Sequence, residues 1–267
     1  MNLFVEPGHF YSPIASLEDG EQLKGWRPRS DEVNMNLKRQ FSNLRSISSL
    51  GIFFNKEKMG GKAYFSNNDQ FAEGDSFVYS GILKLVQPRK VVEIGSGFST
   101  AVLYDTKPEL SRLNEIVLIE PYPERLMSLL ELDDSTTLIQ SNVQDVPIEV
   151  FSSLKSGDIL FIDSSHVAKT NSDVLFEVFS ILPNLAKGVW VHVHDMFWPF
   201  EYPEAWVKQG RSWNELYVIR SWLAYNKKVS IQFFSHYLFS EHKKVWSDHI
   251  PGSVVNPGGG LWLRIER

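Results

Sequence analysis

Asp163-Ser164-Ser165-His166 sets a carboxylate and an imidazole on one short stretch, immediately after the apolar run Ile159-Leu160-Phe161-Ile162. A run of that kind reads as a strand buried on both faces, so its polar end belongs to a strand-to-helix loop. Further on, Val189-Trp190-Val191-His192-Val193-His194-Asp195 alternates, which puts His192 and His194 on one face of a strand and Asp195 at its end. If these strands are neighbours, Asp163 and Asp195 reach one rim, the rim at which open α/β sheets bind ligands. Two carboxylates held close either raise one pKa or bind a cation. The chain has no cysteine, and oxygen ligands alone favour a hard divalent ion, Mg2+ or Mn2+, with Asp163 and Asp195 as its protein ligands. Such an ion lowers the pKa of a bound hydroxyl, and His166, of a type that titrates near neutrality, then takes the proton. His166, Asp163 and His194 are the candidate catalytic residues. Each has a plainer reading beside it. Asp163 suits the cap of a following helix, His192 suits a satisfied core position, and His194 can simply shape the rim beside Asp195. His236, His242 and His249 have no partner motif and read as surface residues.

A second constellation lies upstream. Val91-Val92-Glu93-Ile94-Gly95-Ser96-Gly97-Phe98-Ser99-Thr100 is an apolar strand that ends in an acid and breaks into a glycine turn. Glycine lets the backbone approach a ligand and adopt positive φ. Ser99 and Thr100 are placed to assist the turn into a helix. Ile116-Val117-Leu118-Ile119-Glu120 is another apolar strand ending in an acid, and Glu120 follows the turn by about 20 residues, where α/β folds present a carboxylate to ribose hydroxyls. Thr100 stands where the dinucleotide fingerprint wants a third glycine, and Glu93 is a poor neighbour for a pyrophosphate. An acid followed by Gly-x-Gly suits a cofactor that lacks phosphates and has a cationic end. S-adenosylmethionine fits, offering its ammonium and sulfonium to acids, its carboxylate to the turn amides of Gly95, Ser96 and Gly97, and its ribose diol to Glu120. A nicotinamide-dependent oxidoreductase, or a cofactor-binding protein without turnover, is the alternative.

These residues need a frame to hold them. Apolar strands at 90–94, 116–120, 136–140, 158–163, 188–194, 229–235 and 260–265 alternate with helical patterns at roughly 71–86, 98–106, 122–132, 169–182 and 212–226. Alternation of this kind implies parallel βαβ units and a Rossmann-like α/β sheet with helices on both faces. Residues 1–70 are rich in Gly, Pro, Ser and Asn and carry one helical pattern, Val33, Leu37, Phe41 and Leu44. They read as an N-terminal cap, and residues 71–267 as the cofactor-binding domain. Pro257-Gly258-Gly259-Gly260 reads as a flexible return to a late strand. The ring-rich segment Met196 to Trp206 contains Pro199 and Pro203, which argue against a regular helix and fit a substrate wall, a lid, or packing against the cap.

Composition narrows the class. The chain has 267 residues, 43% of them hydrophobic, with a formal charge of −5 and a pI near 5.8. It can bury one substantial core, and its charge argues against a surface that tracks phosphates. Without cysteine there are no disulfides, no thiolate zinc site and no cysteine nucleophile. No stretch of about 18 uninterrupted apolar residues occurs, and Met1 to Pro7 lack the pattern of a secretory leader. The expectation is a cytoplasmic protein with a small-molecule substrate, no nucleic acid or membrane partner, and room for homo-oligomers.

On these motifs the chain resembles the class I S-adenosylmethionine-dependent methyltransferases over about residues 71–267. The resemblance implies a seven-stranded, mostly parallel sheet with one antiparallel strand. It assigns Glu93, Gly95, Ser96, Gly97 and Ser99 to the first cofactor motif, Glu120 to the ribose, and Asn142 and Val143, after the third strand, to the adenine ring. Relatives often carry an acid where Asn142 stands and a third glycine where Ser99 stands. The Asp-x-x-His element with the later Asp is similar to the metal-dependent sugar O-methyltransferases of macrolide biosynthesis, in which the corresponding acids bind metal and a histidine is the base. Catechol-type relatives end the later strand in Asp-Asn, whereas Met196 follows Asp195 here. The resemblance also implies that the N-terminal Gly8-His9-Phe10-Tyr11-Ser12-Pro13-Ile14 covers the cofactor.

Overall fold

Aliphatic runs form strands close to where their sequence places them. In the computed structural model, which describes residues 6–22, 31–250, 252 and 254–266, these are β1 (Lys90–Ile94), β2 (Glu115–Ile119), β3 (Thr136–Ile139), β4 (Ile159–Ile162), β5 (Trp190–Val193), β6 (Val229–Phe234) and β7 (Leu261–Ile265). They pair in one seven-stranded sheet of order β3-β2-β1-β4-β5-β7-β6. β7 runs antiparallel to β5 and β6, and the remaining pairs are parallel. Every residue of β4 is buried, the continuous apolar pattern of a strand covered on both faces. Strand order reverses between β1 and β4, so a crevice opens beyond their carboxyl ends. The glycine turn follows β1 at that point, and Asp163 follows β4.

The helices are α1 (Leu17–Gln22), α2 (Leu37–Leu50), α3 (Glu73–Val86), α4 (Phe98–Thr106), α5 (Glu124–Leu129), α6 (Glu149–Ser152), α7 (Asp173–Phe176), α8 (Glu204–Lys208), α9 (Glu215–Leu223), α10 (Ser235–Glu241) and α11 (Lys243–His249). Among the described residues none is long and apolar enough to cross a membrane. The helical pattern of the N-terminal segment is α2, which packs on α3 and β6 and sinks Leu44 and Ile47 into the common core. Its polar side chains have a separate task. β6 is an edge strand, and its backbone would otherwise be left unpaired. Asn36 and Asn43 donate to the Ile231 and Gln232 carbonyls, each at 3.0 Å, and Gln40 accepts from the Phe234 amide at 3.0 Å.

Several local expectations are corrected. The helix expected over 169–182 is broken into α7, a π-helical turn at Glu177–Ile181 and a 3-10 turn at Leu182–Asn184. Pro183 cannot continue an α-helical ladder, and Ser172 caps the start by accepting from the Leu175 amide at 3.3 Å. The polar region after β6 holds α10 and α11, and none of His236, His242 and His249 is exposed. His236 Nδ1 accepts from the Trp198 amide at 3.0 Å, and His242 lies edge-on to Phe41 at 5.1 Å. The glycine return is packed rather than loose. Gly258 has φ +75°, and a Cβ there would stand 2.0 Å from Asp75 Oδ2.

Candidate active site

The turn after β1 is built by the residues that the sequence reading gave to a ligand. Glu93 is fully buried, and its Oε1 accepts from the hydroxyls of Ser99 and Thr100 at 2.5 and 2.9 Å. Thr100 Oγ1 in turn accepts from the Gly97 amide at 3.1 Å. Burial pushes the Glu93 carboxyl up to about 8, against the pull of the two hydroxyls. Glu93 does not line the cavity, so the expected direct contact with a cofactor is corrected to a support of the turn. Gly95, with φ +78°, is required for a related reason: a Cβ there would strike the Asp163 carbonyl oxygen at 1.8 Å. The close approach that this glycine permits is between β1 and the end of β4.

Glu120 does face the cavity. Its Oε2 accepts from the Ser96 amide at 3.0 Å and its Oε1 from the Tyr122 amide at 2.8 Å, so the acid is oriented from two sides. Further lone pairs remain for ligand hydroxyls. Ser96 Oγ is buried without a partner among the described residues, beside the same cavity of about 530 Å3 that Gly95, Gly97 and Ser99 line. Asn142 and Val143 are not brought to it. Val143 is buried in the core and Asn142 is exposed at the start of a 3-10 turn.

Across that cavity lie the acids and histidines of β4 and β5. Adjacent parallel strands set Asp163 and Asp195 at one rim, and His166 stands between them, its Nε2 3.4 Å from Asp163 Oδ1 and 3.4 Å from Asp195 Oδ2. On its other edge Nδ1 is 2.8 Å from Glu215 Oε2. The first amides of α9 hold the same residue by its main chain: Asn214 and Glu215 donate to the His166 carbonyl at 3.0 and 3.1 Å. His166 and Asp195 have φ of +61° and +53°, sparsely populated values for residues with side chains that persist only where surroundings enforce them. Burial works against a charged imidazole, but the hydrogen bonds to Asp163 and Glu215 hold the His166 pKa well above its ordinary value. Burial likewise opposes ionisation of Asp163, and the charges of His194 and His166 overcome it, keeping that carboxyl below its usual range.

Glu177, Glu215 and Asp75 escaped the sequence reading. The π-helical turn begins at Glu177, whose Oε2 accepts from Ser164 Oγ at 3.2 Å. Burial and the charge of Glu215 raise the Glu177 pKa well above the usual range, and burial raises that of Glu215 as well, against the pull of its hydrogen bond to His166. Asp75 lines the cavity from the first turn of α3, pushed up to about 6 by burial. A polar residue early in a predicted helix was the only available signal for Asp75 and Glu215, and capping explains such residues equally well.

His194 is buried beside Asp195, 3.7 Å from Nε2 to Oδ1, and lines the cavity. Burial lowers its basicity, but Asp163, Asp195 and Asp75 raise its pKa on balance. His192 is a core residue, stacked on Phe161 at 4.0 Å, with burial holding it well below the ordinary histidine value. In the ring-rich segment Met196 and Phe200 are core residues, whereas Phe197 and Trp206 line the cavity, and the helix α8 starts once Pro203 is passed. Phe10 and Tyr11 are exposed and do not line the cavity.

The metal pair expected at Asp163 and Asp195 does not fit a resident ion in this arrangement. His166 Nε2 occupies the point that both acids face, its imidazolium supplies the balancing charge, and among the described residues no group of three or more His, Asp or Glu side chains is disposed to hold a metal.

The sequence profile of a family described as a methyltransferase domain matches residues 92–196, from β1 to the end of the Asp195 turn. An uncharacterized protein of Archaeoglobus fulgidus is 32% identical over 165 residues, 57% of this chain and 75% of that protein. Among solved structures, the S-adenosylhomocysteine-bound Podospora anserina methyltransferase PaMTH1 is 14% identical, with 91% of this chain and 99% of that one covered at a TM-score of 0.49. The O-methyltransferase TomG from Streptomyces achromogenes, involved in tomaymycin synthesis and solved with SAM, is 14% identical, with 94% and 96% covered at 0.47. Over residues 92–196 the chain carries a methyltransferase domain, built on the seven-stranded sheet of the class I S-adenosylmethionine-dependent methyltransferases.

Proposed function

We propose that this enzyme methylates a hydroxyl of a small molecule, a sugar-like acceptor being preferred, with His166 as the group that takes the hydroxyl proton. The observation that carries the reading is a single cavity bounded by Gly95, Ser96, Gly97 and Glu120 on the cofactor side and by Asp163, His166 and Asp195 on the other. Glu120 would hold the ribose hydroxyls, the Ser96 hydroxyl and turn amides the carboxylate, and Asp75 and Asp163 the cationic end. Bound there, S-adenosylmethionine supplies a sulfonium-activated methyl group to the acceptor oxygen. Alignment accounts for most of the acceleration of such a transfer, and a base adds to it.

Glu215 fixes the proton on Nδ1 of His166, which leaves Nε2 to face the acceptor. The resting imidazolium must first lose its Nε2 proton, and a cationic ligand beside it favours that loss. Asp163 and Asp195 then orient the ring and stabilise it when it takes the acceptor's proton. The oxidoreductase alternative is disfavoured by Thr100, whose hydroxyl belongs to the turn itself. Incubation with methyl-labelled S-adenosylmethionine and a panel of sugars, catechols and hydroxy acids tests the proposal. Label is expected on an acceptor oxygen, with turnover persisting after chelation; label on nitrogen or carbon, or none on any acceptor, overturns it.

A further inference from the structure

Arg211 lines the same cavity and is a cation that the transfer chemistry leaves unused. Its guanidinium carbon sits 4.4 Å from the ring centre of Trp206 and 5.0 Å from that of Trp213. The two indoles meet edge to face at 5.2 Å and 80°, forming a corner against which the guanidinium rests. Trp213 also packs on His166, with ring centres 4.5 Å apart, so one indole separates the guanidinium from the base. No carboxylate among the described residues lies within ion-pairing distance of Arg211. Asp69 and Asp195 feel its charge from further away.

A guanidinium set against two indoles 80° apart lays its face on at most one of them, and the N–H donors on its open edge remain, a fork whose geometry matches carboxylate and phosphate oxygens. An arginine fixed by two aromatic rings has also lost part of its rotamer freedom before any ligand arrives, so less is lost on binding. A second cavity of about 330 Å3, walled by Val207, Tyr202 and Tyr217 and by the acids Asp19 and Glu201, shares Arg211 and Trp213 with the first. The cation therefore stands at a junction, where an acceptor with its hydroxyl at His166 would extend its remote end.

We infer that Arg211, held by Trp206 and Trp213, is the acceptor-recognition residue and selects hydroxylated acceptors that carry an oxyanion, a carboxylate or phosphate, away from the reacting hydroxyl. This inference rests on the hydroxyl-methylation reading above. It is tested by measuring kcat/KM for 3,4-dihydroxybenzoate against 3,4-dihydroxybenzamide, and for glucuronate and glucose 6-phosphate against glucose. The anionic member is expected to be preferred by roughly tenfold or more, the scale of hydrogen bonds to a charged group, and the two sugar anions distinguish carboxylate from phosphate. In Arg211→Gln the ratio should fall to about one, and Arg211→Lys, which keeps charge without the fork, should retain part of it. S-adenosylhomocysteine affinity reports that each variant is folded. A ratio near one in the native enzyme, or an undiminished ratio in Arg211→Gln, overturns the inference while leaving hydroxyl methylation intact. Absence of transfer to every acceptor, with S-adenosylhomocysteine bound, overturns both.

Discussion

His166 is bounded by three carboxylates, and the balance among them sets when it can accept a proton. Glu215 at Nδ1 and the acids at Nε2 favour the imidazolium, so the form able to act as a base grows in as pH rises through the elevated pKa. The expected kcat/KM profile therefore climbs on its alkaline side, with a midpoint above the ordinary histidine value of about 6.5. Glu215→Gln removes one anion, which should shift that limb toward lower pH and reduce kcat by loosening the ring. His166→Ala should lose about 10² to 10⁴-fold in turnover. A limb that stays in place in Glu215→Gln would show that another group titrates. The types of Asp163, His166 and Asp195 were legible in the sequence because alternation and strand ends assign them to one rim. Glu215 was not, since it belongs to a distant helix and reaches His166 only through the tertiary fold.

Among the elements, strands were the most legible because buried runs bounded by acids and glycines leave little choice of conformation. The N-terminal helix was visible as a period, but its job was not. α2 covers the open edge of β6 through Asn36, Gln40 and Asn43, residues that a hydrophobic pattern ignores. Gln40 is fully buried, and Gln40→Ala would leave the Phe234 amide without its acceptor. A loss of about 1 to 3 kcal/mol in unfolding free energy is expected, with cofactor affinity retained; denaturant titration checks the first quantity and calorimetry the second. The π-helical turn at Glu177 was illegible for a different reason. One extra residue in a helical turn has no signature beyond the ordinary helical period, and Pro183 signalled only where the helix stops.

The whole molecule stores buried acid groups around one cavity, and its stability should report them. The Glu93 pKa rises from 4.5 to about 8 on folding, so the folded chain binds a proton that the unfolded chain has released between those values. Stability is then lost as pH climbs through that window, and the elevated pKa values of Asp75 and His166 act with the same sign. The melting temperature should fall from mildly acidic toward alkaline pH, and Glu93→Gln should flatten the part of the slope between about 4.5 and 8. An unchanged slope would show that Glu93 is ionised in the folded enzyme. Asp75 also lines the site, and the arrangement of cofactor and base about one cavity is tested most directly by a crystal structure with S-adenosylhomocysteine. The ribose hydroxyls should lie on Glu120, the carboxylate on the Ser96 turn, and the sulfur should face His166 across the cavity. A ligand bound elsewhere, or a sulfur turned away from His166, would contradict the proposed active site.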